Sequence, residues 1–205
     1  MKIRVIAATA AVTITASPLS GCAAYQKARQ MSDDPDSTPP AAQTDQQRIA
    51  LIDSLRPRGS FEAARAHLTA IAGSVAEQIS QAVPGGKPWT FDSTSELATD
   101  ARNGVPCDND LSAGTARKPD ADPVQFDVFA PGDFTIAVGV IRREAAALGA
   151  TEESSLFDDP AKREYVVSGN GYLFRILQIN STWLTVSGDC HLLQKVIDSP
   201  PGTLP

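Results

Sequence analysis

The sequence has few of the side chains that most often carry catalysis or bind metal ions. Its 205 residues include only two histidines and three cysteines. It has no Cys-x-x-Cys or His-Glu-x-x-His spacing, so two common metal-binding motifs are absent. It also has no Gly-x-Ser-x-Gly motif, the usual sign of an α/β-hydrolase nucleophile. We therefore assign no catalytic residue, cofactor site or metal site from motifs.

The sequence also lacks an excess of positive charge. It has 18 Lys and Arg residues against 24 Asp and Glu residues, and its formal net charge is −6. A nucleic-acid-binding domain carries a basic patch or stripe, because it must neutralise phosphate groups. The acidic composition therefore excludes nucleic acid as a partner.

No apolar run near the start of the chain is long enough to span a membrane. After Lys2 and Arg4, residues 5–16 carry no charge, and a proline and a glycine then interrupt the run. A spanning helix needs about 20 apolar residues. A secretory signal peptide instead has a basic start, an apolar core of about 7–15 residues and small residues at the cut. Residues 1–21 are therefore predicted to be a signal peptide.

The segment LSGC, residues 19–22, has the pattern of a bacterial lipobox. In a lipobox the cysteine thiol receives a diacylglyceryl group and the chain is cut just before the cysteine. A further acyl chain, such as palmitate, is added to the new amino group in related bacteria. Cys22 is thus the predicted lipid-attachment residue, and two or more acyl chains hold a protein stably on a bilayer. The alternative is an ordinary secreted protein with an unmodified cysteine near its cleavage site.

If Cys22 carries lipid, Cys107 and Cys190 remain as an even pair outside the cytoplasm. Disulfides form and persist in such oxidising compartments. We therefore predict a Cys107–Cys190 disulfide. The alternative is two buried free thiols, which are more typical of cytosolic proteins.

The composition divides the mature chain into a tether and one domain. Residues 22–43 are rich in Ala, Gln, Ser, Asp and Pro and have almost nothing apolar to bury, so they are predicted to be a disordered, lipid-anchored tether. Residues 44–205 are long enough for one ordinary domain.

Three helices are predicted in this domain. The first begins at Thr44, with Gln47 as its capping-box partner. The second follows Ser60 and the third begins at Asp133 and ends at Gly149. The second helix has an apolar stripe at spacings of three and four, formed by Phe61, Ala64, Leu68, Ile71, Val75, Ile79 and Val83.

Strands are predicted at residues 87–93 and 123–129 and throughout the last third of the chain. Asn170-Gly171 predicts a hairpin turn, and Asn180-Ser181 predicts a second turn. Residues 172–179 are apolar on both faces, which is typical of a central strand. The order of helices, one helix between strands, and a final meander indicates an α+β fold. We expect an antiparallel sheet with the helices packed mainly on one face.

A few polar residues remain as candidates for chemistry. Glu152, Glu153 and Asp189 are carboxylates that could serve in acid–base catalysis, although solvated carboxylates are the commoner case. Cys190 and His191 are neighbours, but adjacent strand residues point to opposite faces, and a disulfide would consume the thiol. His67 is interpreted as a solvated helix residue.

Several stretches resemble one family. The segments LIDSLRPRGSFEAARAHLTA, RNGVPCD, GATEESSLF, GNGYLFRILQI and SGDCHLLQKV occur in this order. They resemble the mycobacterial LppA/LppV-type lipoproteins from about residue 43 to the end. The resemblance implies an envelope lipoprotein with a lipobox cysteine and a cysteine pair matching Cys107 and Cys190. It implies no reaction.

The sequence therefore predicts an extracytoplasmic lipoprotein, lipid-anchored to the cell membrane. It favours a non-catalytic binding or structural module whose partner is an envelope lipid, a glycan or a protein. The alternative is a carboxylate-dependent envelope hydrolase that uses residues such as Glu152 or Asp189.

Overall fold

The computed structural model describes residues 43–88, 96–107, 111–159 and 161–205. The described residues belong to one compact unit, Gln43–Pro205. Its helices and antiparallel sheets confirm the predicted α+β class. The predicted signal peptide, residues 22–42 of the predicted tether with Cys22, and residues 89–93 of the first predicted strand lie outside the described residues.

The first helix has the predicted start. Helix α1, Asp45–Leu55, is capped by Thr44, whose side chain accepts a hydrogen bond from the Gln47 backbone N–H at 3.2 Å. The Gln47 side chain accepts one in return from the Thr44 N–H at 2.8 Å. Each bond satisfies a backbone donor that the helix itself leaves without a partner. A 3₁₀ turn, Arg56–Arg58, follows and ends at Gly59.

The long helix α2, Phe61–Ala82, also begins as predicted, at Ser60. Its buried face differs from the predicted stripe in two respects. Ala64 and Ile71 of the stripe are only half-buried, and Ala72 and Ala76, which are not in the stripe, are buried. The difference arises because alanine is compatible with either face of a helix, so its position in the apolar stripe is set by packing.

Two further helices follow in the chain. Helix α3 is Glu96–Asn103, and helix α4 is Pro131–Ala147. The prediction that Asp133 caps α4 is wrong, because the helix begins after Ala130 with Pro131 at its first position. Proline suits that position, since its fixed φ is helical and its missing N–H is not needed there. Gly149 ends this region with φ +83°, as predicted.

The main sheet is antiparallel and has six strands. They are β3 (Val124–Phe126), β4 (Glu152–Ser154), β5 (Asp158–Asp159), β6 (Lys162–Gly169), β7 (Tyr172–Gln178) and β8 (Thr182–Gly188). The order is β3-β8-β7-β6-β4, and β5 pairs with β6. Strand β7 is therefore central, as predicted.

The predicted hairpin joins β6 to β7. Asn170 and Gly171 both have positive φ, 48° and 80°, and Gly169 pairs with Tyr172. Positive φ at both central positions suits the twist of the two strands.

The predicted strand at residues 123–129 is too long. Strand β3 ends at Phe126, Val128 is 55% exposed and Phe129 is buried. The buried Gln178 side chain causes the change in direction: its Oε1 accepts a bond from the Phe129 N–H at 2.8 Å, and its Nε2 donates to the Phe129 carbonyl at 3.1 Å. These bonds replace a strand ladder.

The core lies between one face of the main sheet and helices α2 and α4. It contains Val75 and Ile79 from α2, Ile141 from α4, and Phe174 and Ile176 from β7. This arrangement agrees with helices packed on one face. The second face of β7 is less buried than its composition predicted, since Leu173 is 38% exposed.

A smaller sheet supports a second apolar cluster. It consists of β1 (Val105–Pro106), β2 (Ala116–Lys118) and β9 (His191–Leu192) in that order, and helix α5, Gln194–Ile197, follows β9. The cluster includes Ile52, Leu55, Leu111, Ala116, Leu192 and Val196. A disulfide between Cys107 and Cys190, whose Cα atoms are 5.8 Å apart, packs against it.

Candidate functional site

An open cleft of about 710 Å³ lies where α2 passes the ends of β7 and β8. We call it the main cleft. Helix α2 provides one wall, and the turn after β6 and the segment after β8 provide the other. Its lining residues are Arg58, Ala63, Ala64, His67, Leu68, Pro119, Asn170, Gly171, Tyr172, Gly188, Asp189 and His191.

An ion pair crosses the main cleft. The Arg58 guanidinium donates to the Asp189 carboxylate at 3.3 Å, and both side chains are about half exposed. Arg58 ends the 3₁₀ turn, and the Asp189 N–H donates to the Gly171 carbonyl at 3.0 Å. The backbone of both residues is therefore fixed next to the cleft.

The two histidines of the chain line this same cleft. His67 is exposed on α2, and His191 is half-buried on β9, with its Nδ1 3.4 Å from the Gly59 carbonyl oxygen. Burial lowers the pKa of His191 below its ordinary value, and the charge of Arg58 acts in the same direction. The bond to Gly59 opposes this effect. A histidine with a lowered pKa is mainly neutral at pH 7.

The polar lining limits the chemistry of the main cleft. Among the described residues that line it, Asp189 is the one carboxylate, and no serine, threonine or cysteine is present. The serine, threonine and cysteine nucleophiles that a neighbouring base activates are therefore absent from the described lining, which leaves the Asp189 carboxylate, the two histidines and Tyr172 as its reactive groups. The lining instead offers hydrogen-bond donors and acceptors, together with the Tyr172 ring.

The other candidate carboxylates do not meet Asp189. Glu152 pairs across the sheet with Ser168, then Leu173, then Ser187. Three strand spacings separate Glu152 from Ser187, about 14 Å, and Asp189 lies two residues beyond. Glu152 therefore belongs to the opposite edge of the sheet.

Glu153 has a structural partner on the helix side. The Arg142 guanidinium donates to both oxygens of its carboxylate, at 2.7 and 2.8 Å. This bidentate hydrogen bond lowers the pKa of Glu153. The structure thus gives Glu153 an ion-pairing role with Arg142.

Sequence reasoning examined the two histidines separately and did not predict that they share a cleft. His67 lies on α2 and His191 on β9, and the chain between them includes the whole main sheet. Cys190 and His191 were considered together, as a thiol beside a base, and the structure separates their roles. Cys190 is oxidised in the disulfide, while His191 lines the cleft.

Two general searches add to this description. In the described part of the chain, no helix combines the length and the apolar character that crossing a bilayer requires. Within the same residues, no group of three or more His, Cys, Asp or Glu side chains is arranged to hold a metal ion.

A lipoprotein family matches most of the chain. The family LppA, described as a lipoprotein confined to pathogenic Mycobacterium, matches residues 32–194. The protein is therefore an α+β lipoprotein of a mycobacterial class.

Individual relatives agree with this match. The LppA protein of Mycobacterium tuberculosis strain H37Rv is 52% identical over 163 residues, which cover 79% of this chain and 74% of that protein. The LppB protein of the same strain is 45% identical over 203 residues, which cover 98% of this chain and 87% of that protein. The chain belongs to the LppA family, as the sequence resemblance predicted.

A solved structure shows the same fold. The crystal structure of LppA from Mycobacterium tuberculosis has a TM-score of 0.74 and 46% sequence identity to this chain. The aligned region covers 87% of this chain and 98% of the crystallised chain. The similarity therefore extends over nearly the whole crystallised chain.

Proposed function

We propose that the protein is anchored to the outer side of the cell membrane through lipid on Cys22. On this proposal residues 1–21 are removed and residues 22–43 tether the domain. The lipobox pattern and the lipoprotein family support it. Intact mass spectrometry of the membrane-extracted protein should find an acylated Cys22 at the amino terminus. An unmodified Cys22 thiol, or a cut at another residue, would contradict the anchor.

We further propose that the domain is a binding module that holds a ligand in the main cleft without converting it. The observation that carries the proposal is the composition of the cleft wall. It has an Arg58–Asp189 ion pair, two histidines and a tyrosine, and its described lining has no serine, threonine or cysteine to act as a nucleophile. Its volume lies within the range of about 300–1,000 Å³ found for small-molecule sites.

The charges of the wall favour a polar ligand of low net charge. Arg58 and Asp189 balance each other, and His191 is mainly neutral at pH 7. A strongly anionic ligand would meet the Asp189 carboxylate, and a strongly cationic one would meet Arg58. An acyl chain would leave this ion pair without water and gain no hydrogen bonds in return, which is costly.

A blocked cleft tests the binding proposal. Ala63 is exposed on α2 and lines the cleft, so the Trp side chain in Ala63→Trp would fill the cleft without entering the core. Ala70 is exposed on the same helix outside the clefts described, so Ala70→Trp is the matched control. Each protein is used to capture components of the detergent-solubilised envelope, and lipids, glycans and proteins in the eluate are identified by mass spectrometry.

We expect a component that wild type and Ala70→Trp capture and Ala63→Trp does not. If all three proteins capture the same components, the main cleft is not the binding site. If Ala63→Trp unfolds, its far-ultraviolet circular dichroism will differ from that of the control, and Ala64→Arg serves as the second blocking variant.

The alternative function is a carboxylate-dependent hydrolase. Asp189 is its best candidate, because it is the described carboxylate of the main cleft. Wild type and Asp189→Asn are compared on ester, peptide, phosphoester and glycoside substrates. Turnover that Asp189→Asn abolishes would replace the binding proposal with the hydrolase, whereas no turnover by wild type supports a binding module.

A further inference from the structure

A second cleft adjoins the main one at the same end of the sheet. It has a volume of about 310 Å³ and is lined by Lys118, Ser168, Gly169, Leu173 and Ser187, together with four residues that also line the main cleft. The shared residues are Gly171, Tyr172, Gly188 and Asp189. These four residues form a low ridge between the two clefts.

The two clefts lie on different sides of the main sheet. The main cleft includes Leu68 of α2, which packs in the core on the helix side. The second cleft includes Ser168, Leu173 and Ser187, which pair in one row and lie on the other face. A ligand that occupied both clefts would therefore cross the end of β7 and β8.

The ridge is low because two of its residues are glycines. A Cβ atom on Gly171 would lie 3.0 Å from the Asp189 carboxylate oxygen. A Cβ atom on Gly188 would lie 3.1 Å from the Pro119 side chain and 3.2 Å from the Leu68 side chain. The positive φ of Gly171 is required by the turn, but Gly188 has no positive φ. Gly188 therefore allows the Pro119 and Leu68 side chains, which line the main cleft, to pack directly against the backbone of the ridge.

We propose that the ligand is a neutral, linear oligosaccharide whose chain crosses this ridge and occupies both clefts. The proposal rests on the binding function proposed for the main cleft. A sugar hydroxyl both donates and accepts hydrogen bonds, so one class of group satisfies Arg58 and Asp189 together. Tyr172 lines both clefts, and its side chain combines an apolar ring with a polar hydroxyl, which suits the C–H face of a sugar.

The shape of the site favours a chain over a single sugar. Both clefts are open to solvent and continue into one another, so neither encloses its ligand. An open site holds a small molecule by few contacts, and affinity grows as more units of a chain make contacts of their own. Chain length is therefore the property that the site is expected to select.

The test measures how affinity depends on chain length. Neutral linear oligosaccharides of one to six hexose or pentose units are titrated into the non-lipidated protein by calorimetry, up to about 10 mM, which would detect a Kd of 1 mM. We expect affinity to rise by at least about tenfold between the shortest bound chain and chains that reach the second cleft. A tenfold change is about 1.4 kcal/mol, roughly the net worth of one or two hydrogen bonds.

A variant confined to the second cleft isolates the chain-crossing step. Of the two clefts, Ser168 on β6 lines only the second. Ser154 on β4 is exposed on the same face of the main sheet and lines neither cleft. Ser168→Tyr should abolish the gain from longer chains while leaving the affinity for the shortest chain unchanged. The control Ser154→Tyr should behave as wild type.

Each outcome separates this inference from the proposed function. No binding of any neutral oligosaccharide, or tighter binding of sulfated and phosphorylated sugars, would overturn the inference. So would a length dependence that Ser168→Tyr leaves intact. If wild type captures an envelope component that Ala63→Trp does not capture, the main cleft remains the binding site for another ligand. If Ala63→Trp changes neither experiment, the binding function itself fails.

Discussion

Replacing Cys107 and Cys190 together by alanine should lower the free energy of unfolding by about 4.5 kcal/mol. The two residues are 83 positions apart. In the chain-entropy model, closing a loop of about this length removes roughly 15 cal/mol/K from the entropy of the unfolded chain, which is about 4.5 kcal/mol at 25 °C. This is a large part of the total stability of a domain, which is about 5–15 kcal/mol.

The structure indicates that most of this loss acts through the unfolded state. Both cysteines are half-buried at the margin of the second apolar cluster, so alanine removes little buried surface. Without the cross-link the unfolded chain expands and exposes more surface. The slope of the unfolding free energy against denaturant should therefore be steeper for the double variant.

Urea unfolding measures both quantities. The oxidised wild type, the double variant Cys107→Ala/Cys190→Ala and the chemically reduced wild type are unfolded in parallel. Trp183 on β8 contributes to the fluorescence signal, and circular dichroism reports the helices. The reduced protein controls for effects of the alanine side chains. A loss below about 1 kcal/mol with an unchanged slope would refute the chain-entropy reasoning.

Three further perturbations test the core, a buried charge and a histidine. Ile79→Ala, at a fully buried position, should lower the free energy of unfolding by about 2–5 kcal/mol, as measured by thermal unfolding. Ile71→Ala, at a half-buried position, should lower it clearly less. Equal losses of stability would contradict the assignment of the buried face of α2. Arg175→Met should lower the free energy of unfolding by about 1–3 kcal/mol, because Arg175 donates at 2.7 Å to the Glu164 carboxylate, whose side chain is 2% exposed. Wild-type stability in this variant would mean that other groups satisfy the Glu164 carboxylate. The pKa of His191 is lowered from 6.5 on folding, so below pH 6.5 the unfolded chain binds the proton first and the folded protein loses stability. The His191→Gln variant should therefore lose less stability than wild type between pH 7.5 and pH 5. Identical pH profiles of the two proteins would refute the lowered pKa of His191.

The parts of the fold that local chemistry determines were predicted well. The capping box at Thr44, the cap at Ser60, the Asn170-Gly171 turn and the break at Gly149 all occur where expected. Each depends on the backbone geometry of a few neighbouring residues. Such geometry can be predicted from a short stretch of sequence, because no distant contact competes with it.

One local prediction is wrong, the cap at Asp133, because Pro131 two residues earlier takes the first helical position. The other errors occur where distant residues determine the local structure. Phe129 leaves the strand because Gln178, which lies on β7, bonds both of its backbone groups. In the same way, the apolar pattern of β7 predicted two covered faces, but coverage depends on where helices pack. Leu173 is partly exposed because α2 and α4 both lie on the other side.

The candidate site was harder to predict than the fold. Its wall combines a 3₁₀ turn, one face of α2, a hairpin and the segment after β8, and no motif relates them. The residue types were visible, since Asp189 and both histidines drew attention individually. What the sequence lacked was their position relative to each other, which the packing of α2 against the sheet supplies.

The segment from Gly188 to Leu192 shows why a cysteine beside a histidine does not form a reactive pair here. Its five consecutive residues have three different roles. Gly188, Asp189 and His191 line the main cleft, Cys190 forms the disulfide, and Leu192 is fully buried in the second cluster. Since neighbouring residues of an extended chain point to opposite sides, a cysteine beside a histidine here places the two groups apart. The disulfide and Leu192 fix the backbone that presents Asp189 and His191, so Cys190 supports the cleft through the position of its neighbours and not through chemistry of its own.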